Sequence, residues 1–262
     1  MVVLGELGPA FAAARARLGL IALLFGLAAL AWWSTLDRMR GMDGGPTADL
    51  GTFGWFVGVW VVMMAAMMFP SVAPTAALYS RMTRKRSPVA PLVFACGYLL
   101  TWAASGVLAF AVSDLGGAVL GGPLAWDRAG RWFAAGVLAV AALYELTPLK
   151  DVCLGRCRSP FGFLMGAWRD GVRGAVAMGS KHAFWCFGCC WALMAALFAL
   201  GVMSILWMAV VAGVITVEKL LPWRRVAVWS TAVLLLVLAV GVLAAPGSVP
   251  GFVVPSGGMA GM

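Results

Sequence analysis

Long apolar runs, each about the length of a membrane-crossing helix, occupy most of this 262-residue sequence. A helix needs about 20 apolar residues to cross the roughly 30 Å hydrocarbon core of a bilayer. Five runs provide such segments, the fourth of them short: 18–36, 53–72, 89–112, 132–146 and 226–245. The sequence therefore predicts an all-α fold, a polytopic transmembrane helical bundle.

Composition excludes the two main alternatives to a membrane protein. Hydrophobic residues make up 63% of the chain and charged residues only 11%, whereas a soluble domain carries about a quarter charged residues. The 13 tryptophans and 14 phenylalanines are the opposite of a disordered composition. The net charge of +9 could suggest nucleic acid, but in a membrane protein it bears first on orientation. We expect the lipid bilayer as a partner and no nucleic acid.

The segment 183–217 contains 35 residues without a formal charge. One straight helix of that length would measure roughly 50 Å and overshoot the bilayer. Two short spans, 183–201 and 204–218, with a turn near Gly201–Ser204, fit better. The sequence then predicts seven spans.

The distribution of basic residues predicts the orientation. With the N-terminus inside, 15 of the 19 lysines and arginines fall in cytoplasmic segments, as the positive-inside rule requires. Treating 183–217 as one helix would move Lys219, Arg224 and Arg225 outside and break this pattern. We therefore expect the N-terminus inside, the C-terminus outside and a multi-pass location in a membrane.

The chain shows no separate soluble domain, so residues 1–262 are expected to form a single transmembrane domain. Segment 148–182 is its longest polar part and is predicted to be a cytoplasmic loop, part of which lies along the membrane interface. The first 31 residues also resemble a cleavable signal peptide. Trp32 and Trp33 favour an interfacial aromatic belt instead.

Six cysteines lie at or near the predicted cytoplasmic side, where thiols stay reduced and clustered cysteines are more often metal-binding or catalytic than structural. Residues four apart in a helix stack on one face. One such face consists of His182, Cys186, Cys190 and Met194, and Cys189 lies beside this face. His182 is the single histidine of the chain. Cys153 and Cys157 have the same one-turn spacing.

Methionines form a second cluster at the end of the second predicted span. Met64, Met67 and Met68 share a helical face, and two alanines between them would allow a neighbouring helix to approach closely. Thiolate and thioether ligands select Cu(I), whereas thiolates with imidazole also suit zinc. The methionine-rich site with its cysteine cluster therefore indicates Cu(I), with zinc as the second choice.

Two further features are weaker. Met39, Met42, Met259 and Met262 lie in predicted external segments and could collect copper there, for instance from a periplasmic copper carrier. Lys150, Arg156 and Lys181 are near the cysteines in sequence and would favour their thiolate forms.

Each of these signals also has a packing interpretation. Methionine fills irregular gaps, and cysteine behaves as a small hydrophobe, which is the interpretation we prefer for Cys96. Acidic residues inside membranes are functional by default. However, Glu218 could pair with Lys219, and Glu145 could pair with Lys150.

These motifs resemble a bacterial family of predicted metal-binding integral membrane proteins. The resemblance covers roughly residues 60–219 and rests on the methionine block through Pro70, Ser71 and Pro74, then Gly97-Tyr98 with Trp102, Tyr144, Thr147-Pro148-Leu149-Lys150, Cys153-Leu154, Cys157-Arg158-Ser159-Pro160, His182-x3-Cys186-x-Gly188-Cys189-Cys190-Trp191-x2-Met194, Gly201-x-Met203, Trp207-Met208 and Glu218-Lys219. Ala183 and Trp185 stand where the family usually has glycine and tyrosine. The resemblance implies metal binding within a bacterial membrane, which we expect to be the inner one.

The sequence thus predicts a membrane protein that binds a soft metal near its cytoplasmic side, in copper handling or transfer. Its predicted ligands are Cys186, Cys189, Cys190, His182, Cys153, Cys157, Met64, Met67, Met68 and Met194. The alternatives are a membrane oxidoreductase that uses a metal or the vicinal thiols, and an assembly subunit. No cofactor motif favours an enzyme.

Overall fold

A computed structural model describes residues 3–38, 51–83, 87, 89–120, 129–201 and 204–250. These residues form nine α-helices and no strand, which confirms the all-α prediction. The helices are α1 (Val3–Arg38), α2 (Phe53–Thr83), α3 (Ala90–Leu120), α4 (Arg131–Glu145), α5 (Pro148–Arg158), α6 (Pro160–Ala167), α7 (Gly171–Leu200), α8 (Ile205–Leu220) and α9 (Arg224–Ala244), and a 3₁₀ turn follows at Pro246–Ser248.

Five helical segments are long and apolar enough to cross a membrane: Leu18–Arg38, Phe53–Thr83, Ala90–Gly116, Gly171–Leu200 and Arg224–Ala244. A sixth crossing could come from α4 and α5 together, which are bent by 66° where they join. Helix α8 has only 16 residues. The count of seven spans and their direction therefore stay predictions.

Segment 148–182, predicted as a loop, is helical over most of its length. Helices α5 and α6 each have proline at their first position, where its missing N–H costs nothing. Thr147 caps α5, since its hydroxyl accepts from the Lys150 backbone N–H at 3.3 Å. The next helix, α7, begins at Gly171, twelve residues before the predicted span.

The chain breaks between α7 and α8 where the turn near Gly201–Ser204 is predicted. Helix α7 ends at Leu200, and Gly201 has a φ of 108°. Glycine adopts this region readily because it has no Cβ. The long uncharged segment is thus divided into two helices.

Helices α2 and α7 are the most buried of the long helices. Helix α1 packs on α2, α3 packs on both α2 and α7, and α9 packs on α4. The apolar window of α2 is 67% buried, against 17% for α1. The backbones of α3 and α7 are in close contact at Gly97 and Gly179. A Cβ at either glycine would overlap a carbonyl oxygen of the other helix. Helices α2 and α7 meet through side chains, as in the contact of Trp60 with Phe198.

Large apolar side chains cover the outside of the bundle. Many leucines, valines and aromatic residues are more than a third exposed, and Leu100, Val237 and Val240 are examples at 60% or more. A soluble protein rarely exposes so much contiguous apolar surface, which fits helices that lie in lipid.

Candidate metal centre

Three thiols form the centre of the site, on successive turns of α7. The Sγ atoms of Cys186, Cys189 and Cys190 all lie within 4.8 Å of one another, and all three residues are buried. The Cys189 and Cys190 thiols donate to the backbone carbonyl oxygen of Cys186, at 3.1 and 2.9 Å. Their spacing of three and four residues places the sulfurs together on one side of the helix.

Cys186 is the thiol with the most contacts. Its Sγ lies 3.0 Å from the Tyr98 hydroxyl of α3, 2.9 Å from the Lys219 Nζ of α8 and 3.9 Å from the Met68 Sδ of α2. Four helices therefore meet at one sulfur atom.

Helix α5 brings the two other predicted cysteines to the same cluster. The Cys157 Sγ lies 3.9 Å from that of Cys189. Cys153 packs against the backbone of α7 at Gly188, where an added Cβ would lie 2.7 Å from the Cys153 sulfur. The Tyr144 hydroxyl of α4 donates to the Gly188 carbonyl oxygen. A side chain at position 188 would displace the Cys153 sulfur.

The predicted thioethers are all buried, but they differ in position. Met68 contacts the Cys186 sulfur and the Lys219 ammonium, each at 3.9 Å. Met64, Met67 and Met194 belong to the same core. Among the described residues, Met68 is the one predicted thioether whose sulfur contacts a predicted thiol.

His182 lies one turn before Cys186 and outside the group of three thiols. It is buried among aromatic rings, with ring centroids 4.9 Å from Phe163, 6.0 Å from Phe94 and 6.1 Å from Tyr98. Its Nδ1 is buried without a hydrogen-bond partner in the described structure. His182 is thus adjacent to the cluster, and its role as a ligand stays a prediction.

A cluster of buried charged side chains lies at the bend between α4 and α5. The Lys150 Nζ pairs with Glu145 Oε2 and, at 2.8 Å, with Glu218 Oε2 of α8. All three side chains are at most 3% exposed. The predicted contact of Glu145 with Lys150 is confirmed, whereas Glu218 pairs with Lys150 and not with Lys219.

Lys219, Tyr98 and Ser71 are site residues that the sequence did not single out as such. The Lys219 Nζ lies 3.3 Å from the Ser71 hydroxyl and 2.9 Å from the Cys186 sulfur. All three occur in the motifs that carry the family resemblance, and these motifs could have identified them as site residues. Lys181, expected to support the thiolates, is exposed instead.

Some predicted features lie outside the described residues. They are the external methionines Met39, Met42, Met259 and Met262, and Met203 of the family motifs. Cys96, interpreted as a packing residue, is exposed on α3.

A bundle of apolar helices around a buried thiol cluster defines a candidate soft-metal centre. Residues 57–242 match the family model described as PpoB2, a copper chaperone. The chain therefore belongs to the PpoB2 copper chaperone family. No curated protein and no solved structure matches it. The family and the buried cysteine cluster both fit copper handling.

Proposed function

We propose that this protein is an integral membrane protein that binds Cu(I) as its cargo and transfers it. One observation carries the proposal: the three buried sulfurs of Cys186, Cys189 and Cys190, all within 4.8 Å of one another. Small rotations of these side chains would bring the sulfurs to metal-bonding distance, which for a thiolate is about 2.3 Å.

The remaining donors favour Cu(I) over zinc. A thioether, Met68, lies against Cys186, and a further thiol, Cys157, lies against Cys189. Soft sulfur ligands of both kinds select Cu(I). The Met68 thioether is the donor that discriminates between the two metals, because zinc sites use thiolate, imidazole and carboxylate ligands. We propose Cys153, Met64, Met67 and Met194 as supporting ligands during transfer, because they are buried residues with sulfur donors.

The proposed setting is a bacterial inner membrane, crossed seven times with the N-terminus inside. The five long apolar helices and the apolar outer surface support a membrane location. The two short helices, α4 and α8, would complete the seven crossings. The thiol cluster would then lie toward the cytoplasmic half, and a periplasmic copper carrier could supply the external side.

Reporter fusions test this topology. We expect a fusion after Arg225 to be active only with a cytoplasmic reporter, and one after Ala245 only with a periplasmic reporter, because α9 would separate the two positions. The same compartment for both fusions would contradict the arrangement.

Anaerobic loading with Cu(I) tests the metal site. The purified protein is expected to retain about one copper per chain, and a Cys189→Ser/Cys190→Ser variant to retain less than about a tenth of that, because hydroxyls are poor ligands for soft ions. Elemental analysis after desalting measures the ratio. A Cu(I) site of this kind has no visible absorption bands, which distinguishes it from a redox cofactor.

Cys96→Ser provides the matched control. It removes one exposed thiol on α3 and leaves the buried thiols in place. Its copper content should equal that of the unmodified protein. Equal copper content in the control and the double variant would overturn the proposal.

A further inference from the structure

Two buried carboxylates share one lysine where α4, α5 and α8 meet. The Lys150 Nζ contacts the Oε2 atoms of Glu145, at the end of α4, and of Glu218, near the end of α8. The three side chains are at most 3% exposed. We call them the carboxylate–lysine cluster.

The formal charges of this cluster do not balance. Two ionised carboxylates and one ammonium leave one negative charge uncompensated. In the part of the chain that the structure describes, Lys150 is the one cation that pairs with either glutamate. A buried charge without a counter-charge is costly, so the cluster needs one further positive charge.

The basic residues of the surrounding helices do not supply it. Arg158 of α5 donates to the backbone carbonyl oxygens of Glu218 and Leu221, and not to a carboxylate. Arg224 of α9 pairs with Asp151. The described basic residues of α2 and α7 are exposed at the surface: Arg81, Arg173 and Lys181.

The other titratable groups of the adjoining helices also have partners elsewhere. Lys219 of α8 contacts the Cys186 sulfur. The Tyr144 hydroxyl of α4 donates to the Gly188 carbonyl oxygen, and the Cys153 sulfur of α5 lies against the same glycine.

The second oxygen of each carboxylate is available for the missing charge. Glu145 Oε1 and Glu218 Oε1 are both buried and have no hydrogen-bond partner among the described residues. Because both Oε2 atoms contact one nitrogen, the nearest oxygens of the two groups lie within about 6 Å of each other. Carboxylates that share a site in this way favour a proton on one of them, since it removes their mutual repulsion.

We propose that Glu145 and Glu218 form a proton-binding site, in which the two carboxylates share one exchangeable proton and Lys150 remains an ammonium. One carboxylate then balances the ammonium, and the other group is a neutral acid. A proton fits better than a metal ion, because Ca²⁺ and Mg²⁺ take about six oxygen ligands and the cluster offers two unpartnered oxygens. The site is additional to the proposed copper site and holds its proton whether or not copper binds.

The position of the site suits exchange of this proton with solvent. Glu145 and Lys150 flank the 66° bend between α4 and α5, and the four residues between them, 146–149, are exposed or half-buried. Asp151, the next residue, has a side chain that is 55% exposed. Broken helices form the ion sites of many membrane transporters, and buried acidic residues mark proton pathways.

Infrared spectroscopy of the unmodified protein at neutral pH tests the inference. A protonated carboxyl group has a carbonyl stretching band at a higher frequency than the bands of a carboxylate, and replacing the proton with deuterium lowers that frequency. We expect a band equivalent to about one carboxyl group per chain, which shifts after incubation in D₂O. Absence of the band would overturn the proton site, and a band that never shifts would overturn the exchange.

Removing either glutamate should abolish the band. In Glu145→Gln or Glu218→Gln the remaining carboxylate balances Lys150, so no proton is needed. Asp151→Asn is the matched control, because it removes an exposed carboxylate and should leave the band at full intensity. A band that persists unchanged in both glutamine variants would overturn the inference. A protein that shows the band but binds no copper would contradict the proposed function alone.

Discussion

Replacing Lys150 with methionine is expected to destabilise the folded protein by about 3–5 kcal/mol, because two carboxylates would stay buried without their shared cation. The Lys150 ammonium pairs with both Glu145 and Glu218, and water reaches none of the three side chains to any extent. Methionine fills a similar volume, so the loss would report charge and not a cavity. The unfolding midpoint of the detergent-solubilised protein measures the effect.

Two further variants serve as controls for Lys150→Met. Arg224→Met removes an ion pair with Asp151 that is largely exposed, so it should cost at most about 1 kcal/mol. Adding Glu145→Gln and Glu218→Gln to Lys150→Met removes every charge of this cluster and should recover much of the stability. An unfolding midpoint for Lys150→Met equal to that of the unmodified protein would show that the cluster does not hold α4, α5 and α8 together.

Gly179→Ala is expected to destabilise the protein by about 3 kcal/mol, at the upper end of the usual cost of overpacking. The new methyl group would overlap the Phe94 carbonyl oxygen of α3. A backbone atom cannot turn aside as a side chain can, so α3 and α7 would have to separate. Because Tyr98 of α3 contacts the Cys186 sulfur of α7, copper affinity should fall as well.

Gly136→Ala is the matched control for this variant. Gly136 lies in a helix, α4, and an added Cβ there would have no neighbour within 4 Å. Alanine favours the helix over glycine, so stability should be unchanged or slightly higher. Thermal unfolding followed by helical circular dichroism compares the two variants. Similar midpoints would contradict the close approach of α3 and α7.

The helices were largely predictable, because apolar length determines where a chain can cross a bilayer. The start of α7 could not be predicted in the same way, because Arg173 and Lys181 give its first turns the composition of a polar loop. Both side chains are exposed, while Gly174, Met178 and Gly179 of the same turns are buried. The prolines that begin α5 and α6 were visible in the sequence and could have predicted both helices.

The sulfur-containing residues of the site were predictable from their chemistry and their helical spacing, but the polar partners of Cys186 were not. Helical spacing brings Cys186, Cys189 and Cys190 together without any knowledge of the fold. The partners of Cys186 come from far along the chain: Tyr98 is 88 residues away and Lys219 is 33 residues away. Spacing carries no information about such contacts. Pairing of Glu218 with Lys219 was expected because the two residues are adjacent in sequence. In the structure Glu218 contacts Lys150, and Lys219 contacts Cys186.

That separation of two consecutive residues gives α8 a further property. The Glu218 side chain enters the carboxylate–lysine cluster, while the Lys219 side chain enters the thiol cluster. A backbone shift at one residue would displace the other, which gives the two clusters a structural route to thermodynamic linkage. Linkage is reciprocal: whatever factor copper occupancy imposes on the strength of the carboxylate–lysine pairing, that pairing imposes on the affinity for copper.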